Sequence, residues 1–273
     1  MKQRISFTVE KKRVLVPVGE PCPFGCRYCY TRGGEVGLSR VSAAEVISRF
    51  QQFAKKAAFE TIQFGYDGDP FAHPERGIAM LRQLSTMGKH LNFSTKAMLD
   101  TSTLEALSEI RHHMQFAGTI LSALVSLSCW DSARAVEPHT PSPQERMLTV
   151  AHLKQLALPV FIAVRPILPH IPDAEYEQIF DAGINAGCDG FILGPLYSDA
   201  HGRFVRFIPQ AILAATEHQQ GRVSWSAHAP TWTRYEDKTR LQRLLYLVEQ
   251  KGGRAFLSSA DAMEFIHRKE VAA

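Results

Sequence analysis

The sequence predicts an α/β fold: a partial (β/α)6 barrel of TIM-like pattern with a helical C-terminal extension. Three observations carry this expectation. Short apolar runs alternate with stretches of helical period, the rhythm of repeated βα units on a mostly parallel sheet. Six such runs are each followed by a helix or a loop. Beyond about residue 205 the rhythm fades, which divides the chain into a barrel over 1–205 and an extension over 206–273 packed on it. The alternation alone suits a doubly wound sheet as well.

The expected strands cover 14–18, 61–66, 90–95, 119–128, 159–165 and 190–193. Helices are expected over 41–58, 75–87, 101–114, 143–156 and 174–186. The first has Ser42 with Glu45 three residues on, the spacing of a capping box. Pro143 suits a first helical turn, where its missing N–H costs nothing. In the extension, 208–218 and 235–250 read as helices, separated by a stretch carrying Trp225, Pro230 and Trp232.

A chain of 273 residues accommodates one such domain, and 45% hydrophobic with 21% charged residues is ordinary for a globular protein. A net charge of +4 permits a polyanionic partner without demanding one. The first ten residues lack a signal-peptide core, and no stretch approaches the roughly 18 apolar residues of a membrane span. A cytoplasmic protein with no membrane partner is expected. Of the five cysteines, three crowd into one short segment, which suggests a metal or redox site in a reducing compartment rather than a secreted disulfide framework.

That segment is Pro21-Cys22-Pro23-Phe24-Gly25-Cys26-Arg27-Tyr28-Cys29. It follows the first strand, so in a parallel barrel it lies at the C-terminal mouth, where such folds carry their chemistry. Soft thiolates suit iron–sulfur clusters, and a loop rich in Pro and Gly can turn three of them inward. Three ligands for four irons leave one iron open. A structural zinc would instead want four protein ligands, often as two separated pairs, and Cys129 and Cys188 are isolated.

The Cys-x-x-x-Cys-x-x-Cys spacing, with aromatic Tyr28 before the last cysteine, is similar to the signature of the radical S-adenosylmethionine (SAM) superfamily. The resemblance implies a partial barrel of the radical SAM type. It also implies a 4Fe–4S cluster on Cys22, Cys26 and Cys29, with SAM chelating the open iron. Reductive cleavage of SAM to a 5′-deoxyadenosyl radical and hydrogen abstraction from a substrate would follow, with electrons from a donor such as flavodoxin or ferredoxin.

Further residues match in order. Gly65-Tyr66-Asp67-Gly68-Asp69-Pro70 resembles the family's Gly-Gly-Glu-Pro-like turn that holds the SAM amine, with aspartates replacing glutamate. It looks more like the Thr-Asp-Pro version of the spore photoproduct lyase-like branch, which also shows a Thr-Lys pair like Thr95-Lys96. The resemblance implies SAM contacts at Tyr28, Gly65, Asp67, Gly68, Asp69, Lys96, Ser126 and Ser128, and along the backbone at Leu193. Arg146, after Glu137-Pro138, would bind a carboxylate or clasp Glu137. Cys129 is the expected hydrogen donor, with Tyr66 and Tyr197 as other donors.

The branch resemblance points to a nucleobase or nucleic-acid substrate and lyase-type chemistry. Lys2, Arg4, Lys11, Lys12 and Arg13 form a basic edge. Arg222, Trp225, Trp232, Arg234, Tyr235, Lys238, Arg240 and Arg243 interleave cations with aromatics, a composition that can grip phosphates and stack bases or merely mark a solvated face. A peptide or small-metabolite substrate, and a non-catalytic cluster-binding or sensor protein, are the alternatives.

Overall fold

The computed structural model describes residues 5, 7–33, 41–223 and 231–271. An eight-stranded sheet runs in the order β1 (Thr8–Glu10), β2 (Arg13–Val16), β3 (Thr61–Phe64), β4 (His90–Thr95), β5 (Leu121–Ser126), β6 (Val160–Val164), β7 (Gly190–Leu193) and β11 (Ala255–Phe256). β1 and β2 form an antiparallel hairpin, and every later pairing in this sheet is parallel. The sheet curls into the expected partial barrel.

The six sequence-expected strands all lie in this sheet, a few residues shorter at their ends. Each follows the two-residue period of a strand packed on both faces. In β5, Leu121, Ala123 and Val125 face the outer helices, while Ser122, Leu124 and Ser126 face the lumen. In β6, Val160, Ile162 and Val164 point outward and Phe161 inward.

The helices follow their sequence signals. α1 (Ala43–Ala54) starts at Ser42, whose hydroxyl accepts the Glu45 N–H. α2 (Pro74–Ser85) packs on β4 and α3 (Thr101–Phe116) on β5, and the two helices pack on each other. A short α4 (Ala133–Val136) leads to α5 (Pro143–Gln155), which carries a full capping box between Ser142 and Glu145. α6 (Asp173–Asn185) follows β6.

The C-terminal segment departs from the helical expectation. β8 (Leu196–Asp199), β9 (His218–Gly221) and β10 (Trp232–Tyr235) form a second, antiparallel sheet in the order β8-β10-β9. The helices shrink to α7 (Gln210–Ala215) and α8 (Lys238–Gln250), because His218 and Tyr235 pair with each other on strands. The chain then returns to the barrel. β11 extends the main sheet beside β7, and α9 (Ser259–Val271) closes the floor of the lumen. Ala262, Met263 and Ile266 of α9 pack with Ile120, Leu124, Phe161 and Ile192, all at most 7% exposed. Arg13 donates to Ser259 Oγ and Lys11 pairs with Asp261, which ties α9 to the β1–β2 hairpin.

Candidate active site

The cysteine loop leaves β2 and is stitched to the segment after α4. The Arg27 N–H donates to Val136 O at 2.9 Å, and the His139 N–H to Phe24 O at 3.2 Å. Gly25 has φ +68°, and a Cβ there would lie 2.9 Å from His139 Cδ2, so both its conformation and its packing require glycine. Cys26 is buried, while Cys22 and Cys29 are half-buried. Burial pushes the Cys26 thiol up to about 12, with Lys96 opposing and Glu137, Cys29 and Cys22 adding to the rise. Burial also raises Cys22, which feels the charge of Cys29. The three sulfurs therefore share one electrostatic neighbourhood. Among the described residues no three His, Cys, Asp or Glu converge on a single ion.

The turn after β3 faces this loop. Asp67 is 4% exposed, and its Oδ1 accepts the Val18 N–H at 2.8 Å. Its Oδ2 is buried without a partner, and burial raises the carboxyl to about 7. Asp69 is fully engaged: Oδ1 accepts from Phe71 N–H and Thr95 Oγ1 at 2.9 Å, and Oδ2 accepts the Lys96 N–H at 2.5 Å. Gly65 has φ +84° and abuts Pro70, while Gly68 lies against the Glu20 carbonyl.

Beside the turn stands a buried ionic network. Glu137, 1% exposed, accepts from Lys96 Nζ at 2.8 Å, from the Tyr28 hydroxyl, and from Arg146 at 2.6 Å. Burial alone would raise Glu137, but Lys96 and Arg146 hold it down to about 2. Lys96 Nζ also donates to Ser126 Oγ at 2.8 Å and to Tyr28 Oη at 3.0 Å. Tyr28 Oη lies 2.8 Å from Ser128 Oγ, which donates to Arg165 O. The expected residues Tyr28, Lys96, Ser126, Ser128 and Arg146 thus form one hydrogen-bonded cluster against the cysteine loop. Arg146 is fully buried and forms the clasp with Glu137.

Other expected residues lie elsewhere. Cys129 follows Ser128 and points the opposite way, into the apolar layer between sheet and helices, with burial raising its thiol. That placement turns the expected hydrogen donor away from the lumen. The Leu193 side chain also belongs to the outer layer, leaving its backbone alone at the strand end.

The basic surfaces are largely consumed internally. Lys11, Lys12 and Arg13 pair with Asp261, Glu60 and Glu10. Arg240 and Arg243 pair with Asp173, Arg234 pairs with Glu236, and Trp232 is buried. Lys2, Arg4, Trp225 and Pro230 lie outside the described residues. Glu137 and Thr95 are central to the site, although the sequence offered them only as the Arg146 clasp partner and as the neighbour of Lys96. Their signal was polarity immediately beyond buried apolar runs.

A cleft of about 770 Å³ opens away from the cysteines, between the loop after β6, the end of β7, α7 and the start of α8; Ile167, His170, Gly194, Ile212 and Tyr235 line it. No helix among the described residues is long and apolar enough to cross a membrane.

Comparison with known proteins agrees with this geometry. The model of the radical SAM superfamily matches residues 16–183, from the end of β2 through α6. The chain belongs to the radical SAM superfamily, and membership supports an enzyme that uses SAM and an iron–sulfur cluster. Uncharacterized proteins Rv2578c of Mycobacterium tuberculosis and Mb2609c of Mycobacterium bovis are each 24% identical over 212 residues, covering 70% of this chain. The chain spans 61% of the length of these curated relatives.

Among solved structures, a spore photoproduct lyase double mutant with bound AdoMet and dinucleoside spore photoproduct superposes with TM-score 0.67 at 14% identity. That match covers 90% of this chain and 76% of the lyase. SuiB of Streptococcus suis bound to precursor peptide SuiA gives TM-score 0.52 at 15% identity, over 67% of this chain and 39% of SuiB. These likenesses show the fold.

The residues present fit the implied groups. Three thiols on one pinned loop are a cluster donor set. The unpartnered buried Asp67 Oδ2 is an acceptor suited to a cationic amine.

Proposed function

We propose that the chain is a radical SAM enzyme whose 4Fe–4S cluster is held by Cys22, Cys26 and Cys29. The observation that supports this best is the three-thiol loop, whose Cys22 meets the backbone of Asp69 in the turn that also carries the buried, unpartnered Asp67 oxygen. When bound, cluster and SAM together supply reductive cleavage of the sulfonium to a 5′-deoxyadenosyl radical that takes hydrogen from substrate.

The protein's share is positioning and exclusion of water. Asp67 would hold the SAM ammonium through its unpartnered oxygen. Asp69 fixes the Lys96 backbone, and Glu137 locks the Lys96 side chain beside Ser126 and Tyr28. This presents donors to the SAM carboxylate and ribose. The α9 side chains keep the lumen floor dry. Cys129, in the outer layer, has no part in the hydrogen return proposed for the lumen.

The substrate reading we favour is a nucleobase-bearing molecule undergoing lyase-type chemistry. It is supported by the resemblance of Asp69-Pro70 and Thr95-Lys96 to the motifs of the spore photoproduct lyase-like branch, and by the fold likeness. A second reading, a peptide or small metabolite, is favoured by the internal pairing of the basic surface residues, which leaves less charge for gripping a polynucleotide.

The test is anaerobic reconstitution with iron and sulfide, followed by reduction with dithionite or a flavodoxin system in the presence of SAM. The expected result is a brown protein that forms 5′-deoxyadenosine, with deuterium transferred from labelled substrate. A brown protein that never cleaves SAM would mark a non-catalytic cluster-binding protein instead.

A further inference from the structure

Arg165 follows β6 and, by strand alternation, faces the lumen side with Phe161 and Ala163. Its guanidinium lies across Gly194 at the end of β7, where a Cβ would come within 2.4 Å of Nε. Several arginines elsewhere in the fold are engaged. Arg146 holds Glu137, Arg76 donates to two backbone carbonyls, Arg203 pairs with Asp199, and Arg240 pairs with Asp173. The Arg165 guanidinium has no hydrogen bond or ion pair to any described residue. Its surroundings draw its charged form down, with Tyr197, Glu10 and Tyr30 opposing and Arg13 adding repulsion.

Two cations therefore stand at the strand ends on the lumen face, and they differ. Lys96 on the β4 side is neutralised by Glu137, whereas Arg165 on the β6 side is not. Arg165 is half-buried, and the planar fork of an unpaired guanidinium matches carboxylate and phosphate oxygens. The SAM contacts proposed above lie on the β3–β5 side. Arg165 lies instead beside Gly194, which rims the open cleft, and towards Tyr197 on the small sheet.

We propose that Arg165 binds an oxyanion of the substrate, a phosphate or a carboxylate, and so sets which molecules are accepted at the mouth. This rests on the radical SAM reading, and it narrows either substrate reading to an anionic molecule.

The test uses the full chain, reconstituted anaerobically with SAM. Binding of thymidine 5′-monophosphate is read by 31P relaxation, and binding of 13C-acetate by 13C relaxation, each enhanced by the reduced paramagnetic cluster. The wild type is expected to bind at least one probe about tenfold more tightly than R165Q, with R165K between them. The tighter probe names the oxyanion. Gly194→Ala keeps the charge but crowds Nε, and should weaken the same probe by about threefold or more. It carries the test if R165Q does not fold.

SAM affinity of R165Q should stay within about twofold of wild type. Equal probe binding by wild type and R165Q, or no binding by wild type, would overturn the proposal. So would a tenfold loss of SAM affinity in R165Q, since the guanidinium would then serve the SAM carboxylate. Failure of the underlying reading shows separately, as wild-type protein that holds no iron or forms no 5′-deoxyadenosine.

Discussion

The carboxylate of Asp69, in the turn after β3, accepts the backbone N–H of Lys96 at the end of β4, while Lys96 Nζ reaches Glu137 41 residues further on. One carboxylate thus fixes where the lysine starts and another fixes where it ends. Asp69→Ala would leave the Phe71, Lys96 and Thr95 donors without their acceptor. The expected cost is about 2–4 kcal/mol, read from urea denaturation, with weaker SAM binding but retained iron. SAM affinity at the wild-type level in a folded variant would show that Lys96 has no role in binding it.

Glu137→Gln should cost about 3–5 kcal/mol, because Lys96 and Arg146 lose their shared counter-charge inside the protein. Arg146→Met alone should cost a similar amount. The double variant should cost clearly less than the sum, as expected for partners in one network. Additive losses would mean that the two side chains act independently.

Asp67 should show the reverse sign. Its folded carboxyl titrates near 7, above the usual 3.8, so the unfolded chain loses its proton first and stability falls as pH rises through that interval. Asp67→Asn keeps the acceptor for Val18 and removes the unpartnered charge. Its urea midpoint at pH 8 should rise while SAM affinity drops about tenfold. A gain in stability with unaltered SAM affinity would remove Asp67 from the proposed site.

Acid should loosen the molecule in two stages. His267, stacked on His90 with ring centroids 3.9 Å apart, is lowered to about 4 by burial and by His90. The unfolded chain therefore takes up this proton first, and docking of α9 weakens as pH falls from 6.5 towards 4. Glu137, held near 2, contributes stability above 4.5 that is lost between 4.5 and 2. His267→Phe should flatten the first stage alone, which hydrogen exchange on α9 would reveal.

Replacing Cys22, Cys26 or Cys29 by alanine should abolish iron loading and SAM cleavage together. Cys129→Ala should retain both and cost about 1 kcal/mol, as for a small buried side chain. Loss of iron in that variant would contradict its place in the outer layer.

The barrel was legible because each strand carries an outward row such as Val14, Ile62, Leu91 and Leu121, dense enough to read without structure. The cysteine loop was legible because its ligands are adjacent in sequence. The second sheet was not. His218-Gln219-Gln220-Gly221 has neither alternation nor an apolar face, and its pairing with β10 is a tertiary fact. α9 was not among the expected helices, and nothing local tells Met263 that its partners are Leu124 and Phe161. Cys129 was read from its nearness to the strand end, but one residue of strand period separates facing the lumen from facing the helices.

Because Ala262, Met263 and Ile266 stopper the bottom of the barrel, the proposed reaction chamber would be closed at that end. Whatever settles deeper must arrive earlier and depart later. Steady-state kinetics should accordingly follow a compulsory order of addition, and shaving the α9 side chains should let that order lapse.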